Sequence, residues 1–278
     1  MIEVKDLSFS YRGRKRIFSD FSMQLGGGIV CGLLGRNGTG KSTLLNLIAG
    51  LLTPSAGCVE FGGVNTRLRR CDVLSDMFFV SEEFSLPEVR LSAFVDCNAP
   101  FYPKFSRDDM KSYLDAFELD GNVSLAGLSM GQRKKVLLSF AFATNVGLLL
   151  MDEPTNGLDI PCKGQFRRAL SMYMSDERSV IISTHQVMDV DNLLDHVLVL
   201  GNNAVLLNET LARISSLVSV VSCGQVPGDA FYSQPSPVGY YAVVPRRDES
   251  ETDINIELLF NAVISSPALA EYINKGGK

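Results

Sequence analysis

The residues best suited to chemistry are Gly35-Arg36-Asn37-Gly38-Thr39-Gly40-Lys41-Ser42. They fit the pattern G-x-x-x-x-G-K-[ST], a loop that wraps nucleotide phosphates. Gly35, Gly38 and Gly40 open backbone conformations that a side chain would block and let the chain approach a ligand closely. The loop amides, with the positive end of a following helix, then face an anion. Lys41 adds a cation for the β- and γ-phosphates, and the Ser42 hydroxyl is a ligand for Mg²⁺. The flanks suit the pattern. The run at 29–34 (IVCGLL) reads as a buried parallel strand, and 43–49 (TLLNLIA) has helical spacing and stops at Gly50.

A second group follows another apolar run. Leu148-Leu149-Leu150-Met151 leads into Asp152-Glu153, two carboxylates at a strand end, where ligands of open α/β sheets bind. A strand-end Asp is the usual holder of the Mg²⁺ that bridges the β- and γ-phosphates. A neighbouring Glu is placed to polarise an attacking water. Adjacent carboxylates alone would also describe an exposed strand end; their company with the phosphate loop is what points to chemistry. His185, with Thr184, follows the apolar strand 179–183, and Tyr11 precedes the basic turn Arg12 to Arg16. Spacing leaves two roles open for each: a γ-phosphate partner or a packed histidine, and an adenine-stacking ring or a half-buried strand residue.

The elements that must position these groups can be read coarsely. Strands are expected at 2–10 and 18–25, then at 58–61, 77–80, 148–153, 179–183, 197–200 and 204–207, with helices near 43–49 and 162–173. Residues 84–145 differ: helical spacing near 89–97, 108–117 and 131–143, interrupted by Pro100 and Pro103, reads as an all-helical insert. Residues 215–239, rich in Ser, Gly and Pro, read as a linker. A short strand at 240–244, a charged turn from Arg246 to Asp253 and an amphipathic helix at 254–264 follow.

Bulk composition narrows the class. A chain of 278 residues can bury a substantial core. With 26 Lys and Arg against 31 Asp and Glu, its net charge of −5 argues against nucleic-acid binding by bulk charge. No apolar run reaches the ~18 residues of a membrane span, and the first residues lack a signal peptide's apolar core, so a cytoplasmic location is expected. The six cysteines form no C-x-x-C pair, which speaks against a zinc site or disulfide framework.

Taken together, the motifs resemble those of the nucleotide-binding subunits of ATP-binding cassette (ABC) transporters. Leu128-Ser129-Met130-Gly131-Gln132 resembles the LSGGQ signature, shortly before the Asp152-Glu153 strand as in that family. Asn156-Gly157-Leu158-Asp159 resembles the D-loop, Ser183-Thr184-His185 the switch histidine, and Phe79-Val80-Ser81-Glu82 the Q-loop. Tyr11 falls where the family has its adenine-stacking aromatic. The resemblance covers residues 1–212 and leaves 213–278 as a linker and small C-terminal extension. It implies an α/β, P-loop NTPase core with an N-terminal antiparallel β subdomain and the helical insert at about 84–145.

The resemblance also implies a site and a mechanism. ATP would be held by Tyr11, Gly35 through Thr43, and a signature loop of Ser129, Gly131 and Gln132. Mg²⁺ would be held by Ser42, Glu82 and Asp152, and turnover would rest on Glu153 and His185. Two such subunits would pair head to tail, each ATP lying between one phosphate loop and the other's signature loop, and drive a separate membrane permease from the cytoplasmic face. Asp253 through Phe260 resembles the "ELF" helix that ends ATPase subunits of ABC-2-type exporters, which favours export. Three departures stand out: Met130 for the first signature glycine, Glu82 for the Q-loop glutamine and Asn156-Gly157 for the D-loop's Ser-Ala. The competing reading is a soluble ABC ATPase acting on ribosomes or nucleic acid. The single cassette and the short stretch between phosphate loop and signature oppose it.

Overall fold

The computed structural model describes residues 1–13, 16–201, 204–246 and 254–277. Arg14 and Lys15 of the basic turn, residues 247–253 of the charged turn, and with them Asp253 of the "ELF" segment, lie outside these.

The chain opens with strands β1 (Ile2–Phe9), β2 (Phe18–Leu25) and β3 (Val30–Gly35), then helix α1 (Lys41–Ile48). Next come β4 (Ala56–Phe61), β5 (Val64–Asn65), a short α2 (Cys71–Leu74) and β6 (Met77–Val80). Helices α3 (Leu91–Asn98), α4 (Arg107–Ala116) and α5 (Met130–Ala143) occupy the stretch expected as a helical insert. They are followed by β7 (Leu148–Asp152), α6 (Ile160–Tyr173) and β8 (Ser179–Thr184). The rest is β9 (His196–Gly201), β10 (Ala204–Thr210), α7 (Leu211–Leu217), β11 (Val218–Cys223), β12 (Tyr232–Ser236), β13 (Gly239–Pro245), α8 (Ile256–Ser265) and α9 (Pro267–Asn274).

These elements form two compact units, Met1–Val30 with Ser42–Ser183, and Cys31–Lys41 with Thr184–Lys278. In the first, β1, β2, β4 and β5 make an antiparallel sheet in the order β2-β1-β4-β5. Strands β6, β7 and β8 pair in parallel with β7 between its neighbours. Every residue of β7 is buried, which is why Leu148 to Met151 is an unbroken apolar run rather than an alternating one. Helix α5 is buried from Val136 to Ala143. Phe140 sits at the centre of an aromatic group with Phe78, Phe94, Tyr102 and Phe105, at centroid distances of 5.9, 5.2, 6.1 and 5.2 Å. Burying a side chain of this size contributes about 1.5–3 kcal/mol, so this cluster is a main support of the helical stretch.

In the second unit, β3 pairs in parallel with β9, and β10 returns antiparallel along β9. Helices α8 and α9 lie on β10, where Asn274 Nδ2 donates to Leu206 O at 3.2 Å. Residues 215–239 are not a bare linker. They supply β11 and β12, which flank β13 in an antiparallel sheet in the order β11-β13-β12. Among the described residues no single helix is long and apolar enough to cross a membrane.

Candidate functional site

The phosphate loop leaves β3 and ends where α1 begins at Lys41. Gly38 and Gly40 have φ of +81° and +102°, the left-handed region where a side chain is disfavoured. A Cβ on Gly35 would meet Thr39 Oγ1 at 2.5 Å, so that glycine is fixed by space instead. The loop is closed by Thr39, whose N–H and hydroxyl both donate to Arg36 O, at 3.2 and 2.9 Å. Lys41 is buried and curls back so that its Nζ donates to Gly35 O at 2.8 Å. The ammonium thus stays over the loop, while Arg36, Asn37, Gly38 and Ser42 are exposed. A glycine cradle with a held cation fits the phosphates of a nucleotide.

Of two further expected residues, Tyr11 is set against α1 and His185 against the loop. Tyr11 Oη lies 3.3 Å from Thr43 Oγ1, and the ring stands edge-on to Phe9 with 38% of the residue exposed. The tyrosine is therefore a partly open ring braced by its strand neighbour. His185 follows β8 and shares a pocket of about 270 Å³ with Gly35, Arg36 and Asn37; Phe260 of α8 also lines it. Its Nε2 lies 3.4 Å from Gln186 Nε2.

The carboxylates at the end of β7 are buried, Asp152 at 6% and Glu153 at 7% exposure. Ser183 of β8 runs beside them. Its hydroxyl donates to Asp152 Oδ1 and accepts from the Glu153 N–H at 3.2 Å. The same N–H also reaches Ser183 O at 3.1 Å. Glu153 itself is left-handed, with φ +47°. Holding a non-glycine residue there costs about 1–3 kcal/mol and persists only where the surroundings over-determine it. Lys134, which no sequence motif marks, supplies part of that restraint. It is buried on α5, and its Nζ donates to Glu153 O and Asn156 O, both at 2.9 Å. Burial lowers its pKa, and the nearby Glu82, Glu153 and Asp152 oppose that shift.

Glu82 and the D-loop are also joined, since Asn156 Nδ2 donates to Glu82 Oε1 at 2.8 Å. The unusual residues at these two motif positions thus satisfy each other. Ser129, Gly131 and Gln132 stand at the start of α5. Ser129 Oγ accepts from Gln132 N at 3.3 Å, and Gln132 Oε1 accepts from Ser129 N at 3.0 Å. This capping box turns the Gln132 side chain inward, onto its own helix end. Ser42, Glu82 and Asp152 offer hard oxygen donors, the kind Mg²⁺ takes. Among the described residues no cluster of three or more His, Cys, Asp or Glu forms a metal cage. An ion held by single donors of this kind would complete its shell with waters and phosphate oxygens.

Residues 18–156 match the family model described as ABC transporter. The chain is 28% identical to the ABC transporter ATP-binding protein NatA of Bacillus subtilis over 225 residues, 77% of this chain and 91% of that one. It superposes on a solved ATP-binding subunit of an ABC transporter with a TM-score of 0.69, at 26% identity, covering 77% and 91% of the two chains. A dimeric ATP-binding cassette solved with ADP and phosphate shares the fold, with a TM-score of 0.67 at 23% identity over 76% of this chain and 99% of that one. The chain belongs to the ABC transporter family as an ATP-binding subunit, with the α/β fold of a P-loop NTPase. Its enzymatic class is ATPase.

Proposed function

We propose that this chain is the energy-coupling ATPase of an ABC exporter of the ABC-2 type. Residues 1–212 are the cassette and 213–278 an appended segment. The phosphate loop and Tyr11 hold ATP; Ser42, Asp152 and Glu82 hold Mg²⁺; Glu153 orients the attacking water and His185 contacts the γ-phosphate. Two subunits, of this chain or of this chain and a relative, close head to tail over ATP, each presenting Ser129 and Gly131 to the other's nucleotide. Hydrolysis reopens them, and a separate integral-membrane permease follows the movement from the cytoplasmic face.

The observation that carries the reading is the pocket in which Gly35–Asn37 and His185 come together, because it supplies phosphate contacts and a γ-phosphate sensor in one place. The assignment to export rests on the resemblance of 253–260 to the "ELF" helix, whose part from Ile256 onward opens α8.

Two experiments test it. Tagged chain extracted gently from its native membranes is expected to bring down a polytopic membrane protein; recovery with ribosomes or nucleic acid instead would overturn the transporter role and leave the ATP site standing. Glu153→Gln is expected to bind ATP, lose turnover and run as a dimer on a sizing column with ATP. Normal turnover in that variant would remove Glu153 from the mechanism.

A further inference from the structure

Lys134 poses a question of its own. A lysine with 5% exposure is costly to keep, because burial removes the hydration of its charge. Nothing about the apolar face of α5 requires a cation there: its neighbours Val136, Leu137 and Leu138 are buried hydrophobic residues. What the ammonium touches is specific. It donates to Glu153 O and Asn156 O, the two ends of the turn that follows Asp152. That turn is closed by Asn156 N donating to Glu153 O at 3.2 Å. On its other side Glu153 is fastened through its N–H to Ser183, by 3.1 and 3.2 Å contacts. The peptide units on both sides of the Glu153 Cα are therefore held, one by β8 and one by Lys134.

We infer that Lys134 is the positioning residue of the hydrolytic carboxylate: its bonds to Glu153 O and Asn156 O fix the left-handed turn from which the Glu153 side chain projects. The inference rests on the role proposed for Glu153. It gives the buried charge a purpose that packing does not supply, since the ammonium is held between two carbonyl acceptors, each at 2.9 Å. It also ties the carboxylate to a distant motif. Lys134 lies one turn into the helix that Ser129 caps, so a load on the signature loop reaches Glu153 through a rigid element and a single side chain. Glu82 enters the same chain of contacts through Asn156.

The test uses the full-length chain with Lys134→Met, Lys134→Arg and Glu153→Gln, measuring steady-state ATPase and equilibrium ATP binding. K134M is expected to lower kcat about 100-fold, the scale of a misplacement near 1 Å, while ATP affinity stays within about threefold. K134R, which keeps a charged donor for both carbonyls, is expected to recover activity to within about tenfold. In the E153Q background K134M should remove little of the residual rate, because the group it positions has gone. If K134M does not fold, Lys134→Gln replaces it. Its shorter amide cannot span both carbonyls, and the same kcat loss at unchanged affinity is expected. Normal kcat in K134M with an inactive E153Q would overturn the role of Lys134 alone. So would a fall in ATP affinity that matches the fall in kcat, or an arginine variant no better than methionine. Normal kcat in E153Q would instead sink the role of Glu153, and that of Lys134 with it.

Discussion

Ser183→Ala is the perturbation with the clearest structural arithmetic. The Ser183 side chain is fully buried and joins two strand ends. Its hydroxyl donates to the Asp152 carboxylate and receives the Glu153 N–H. Alanine removes the oxygen and leaves almost no void, so the cavity contribution is small. The Glu153 N–H keeps Ser183 O as an acceptor at 3.1 Å, so that donor is not stranded. What is lost is one hydrogen bond to a buried charged group, worth about 1.5–3 kcal/mol. At roughly 2–4 °C per kcal/mol for a chain near this size, melting should fall by about 3–12 °C. Ser139→Ala is the control: its buried hydroxyl donates to Lys135 O at 2.9 Å within α5, a neutral contact worth about 0.5–1.5 kcal/mol. Differential scanning calorimetry of the nucleotide-free chain reads both. The Mg²⁺ concentration needed for tight ATP binding should also rise in S183A, because Asp152 loses the group that orients it. If S183A melts within about 1 °C of the native chain, or no lower than S139A, the hydroxyl is not holding the carboxylate and the account of this strand end is wrong.

Two other outcomes follow from local geometry. Gly57 has φ +74°, and a Cβ there would meet Lys5 O at 2.2 Å and Asp6 O at 2.4 Å. Gly57→Ala should therefore cost about 2–4 kcal/mol from the left-handed penalty and the clash together, while Gly127→Ala, with nothing nearby, should not; urea denaturation distinguishes them. Among the free thiols, Cys71 and Cys97 are exposed and Cys31 is buried, which pushes the Cys31 pKa up to about 12. Since the thiolate is the nucleophile, iodoacetamide at about pH 8 should label Cys71 and Cys97 and spare Cys31 until the chain unfolds. The sign for stability is also set: with the folded pKa above the reference value of 9.0, the Cys31 contribution is full below pH 9.0 and is lost as pH rises toward 12. Rapid labelling of Cys31 in the native chain, read by mass spectrometry, would contradict its burial.

Much of the fold was legible because buried parallel strands advertise themselves. The runs that became β3 and β7 carry almost no polar residue before their ends, and Gly35 and Asp152 mark where they stop. Strand β8 keeps an apolar centre, Val180 to Ile182, and runs into Thr184 and His185. The missed elements failed for physical reasons. β12 contains Pro235, which cannot donate a ladder hydrogen bond and so reads as loop. It is tolerated because β12 is an edge strand, paired on one side only with β13. Helix α9 starts on Pro267, a residue that breaks a helix anywhere but in its first turn. The phosphate loop, Asp152 and Glu153 were visible as residue types at fixed spacing. Lys134 was not. Its acceptors lie 19 and 22 residues along the chain, on carbonyls that belong to every residue type, so no side-chain pattern marks the contact. The left-handed Glu153 was hidden likewise, since glutamate carries no preference for that conformation.

Met130 stands where the family has the first signature glycine. A glycine is demanded where φ is positive or where a Cβ would collide. Met130 meets neither condition: it is the first residue of α5, in helical conformation, and 65% exposed. The capping box occupies the amides of Ser129 and Gln132. That leaves Met130 and Gly131 as the amides at the helix start with no carbonyl a turn behind them. These are the donors a helix N-terminus offers an anion, and replacing glycine by methionine removes neither. What methionine changes is the surroundings: its side chain lines a pocket of about 370 Å³ with Glu82, Phe84 and Asn156. In the proposed dimer the substitution therefore acts on how closely a partner's nucleotide approaches, and the donors that would grip its γ-phosphate stay in place.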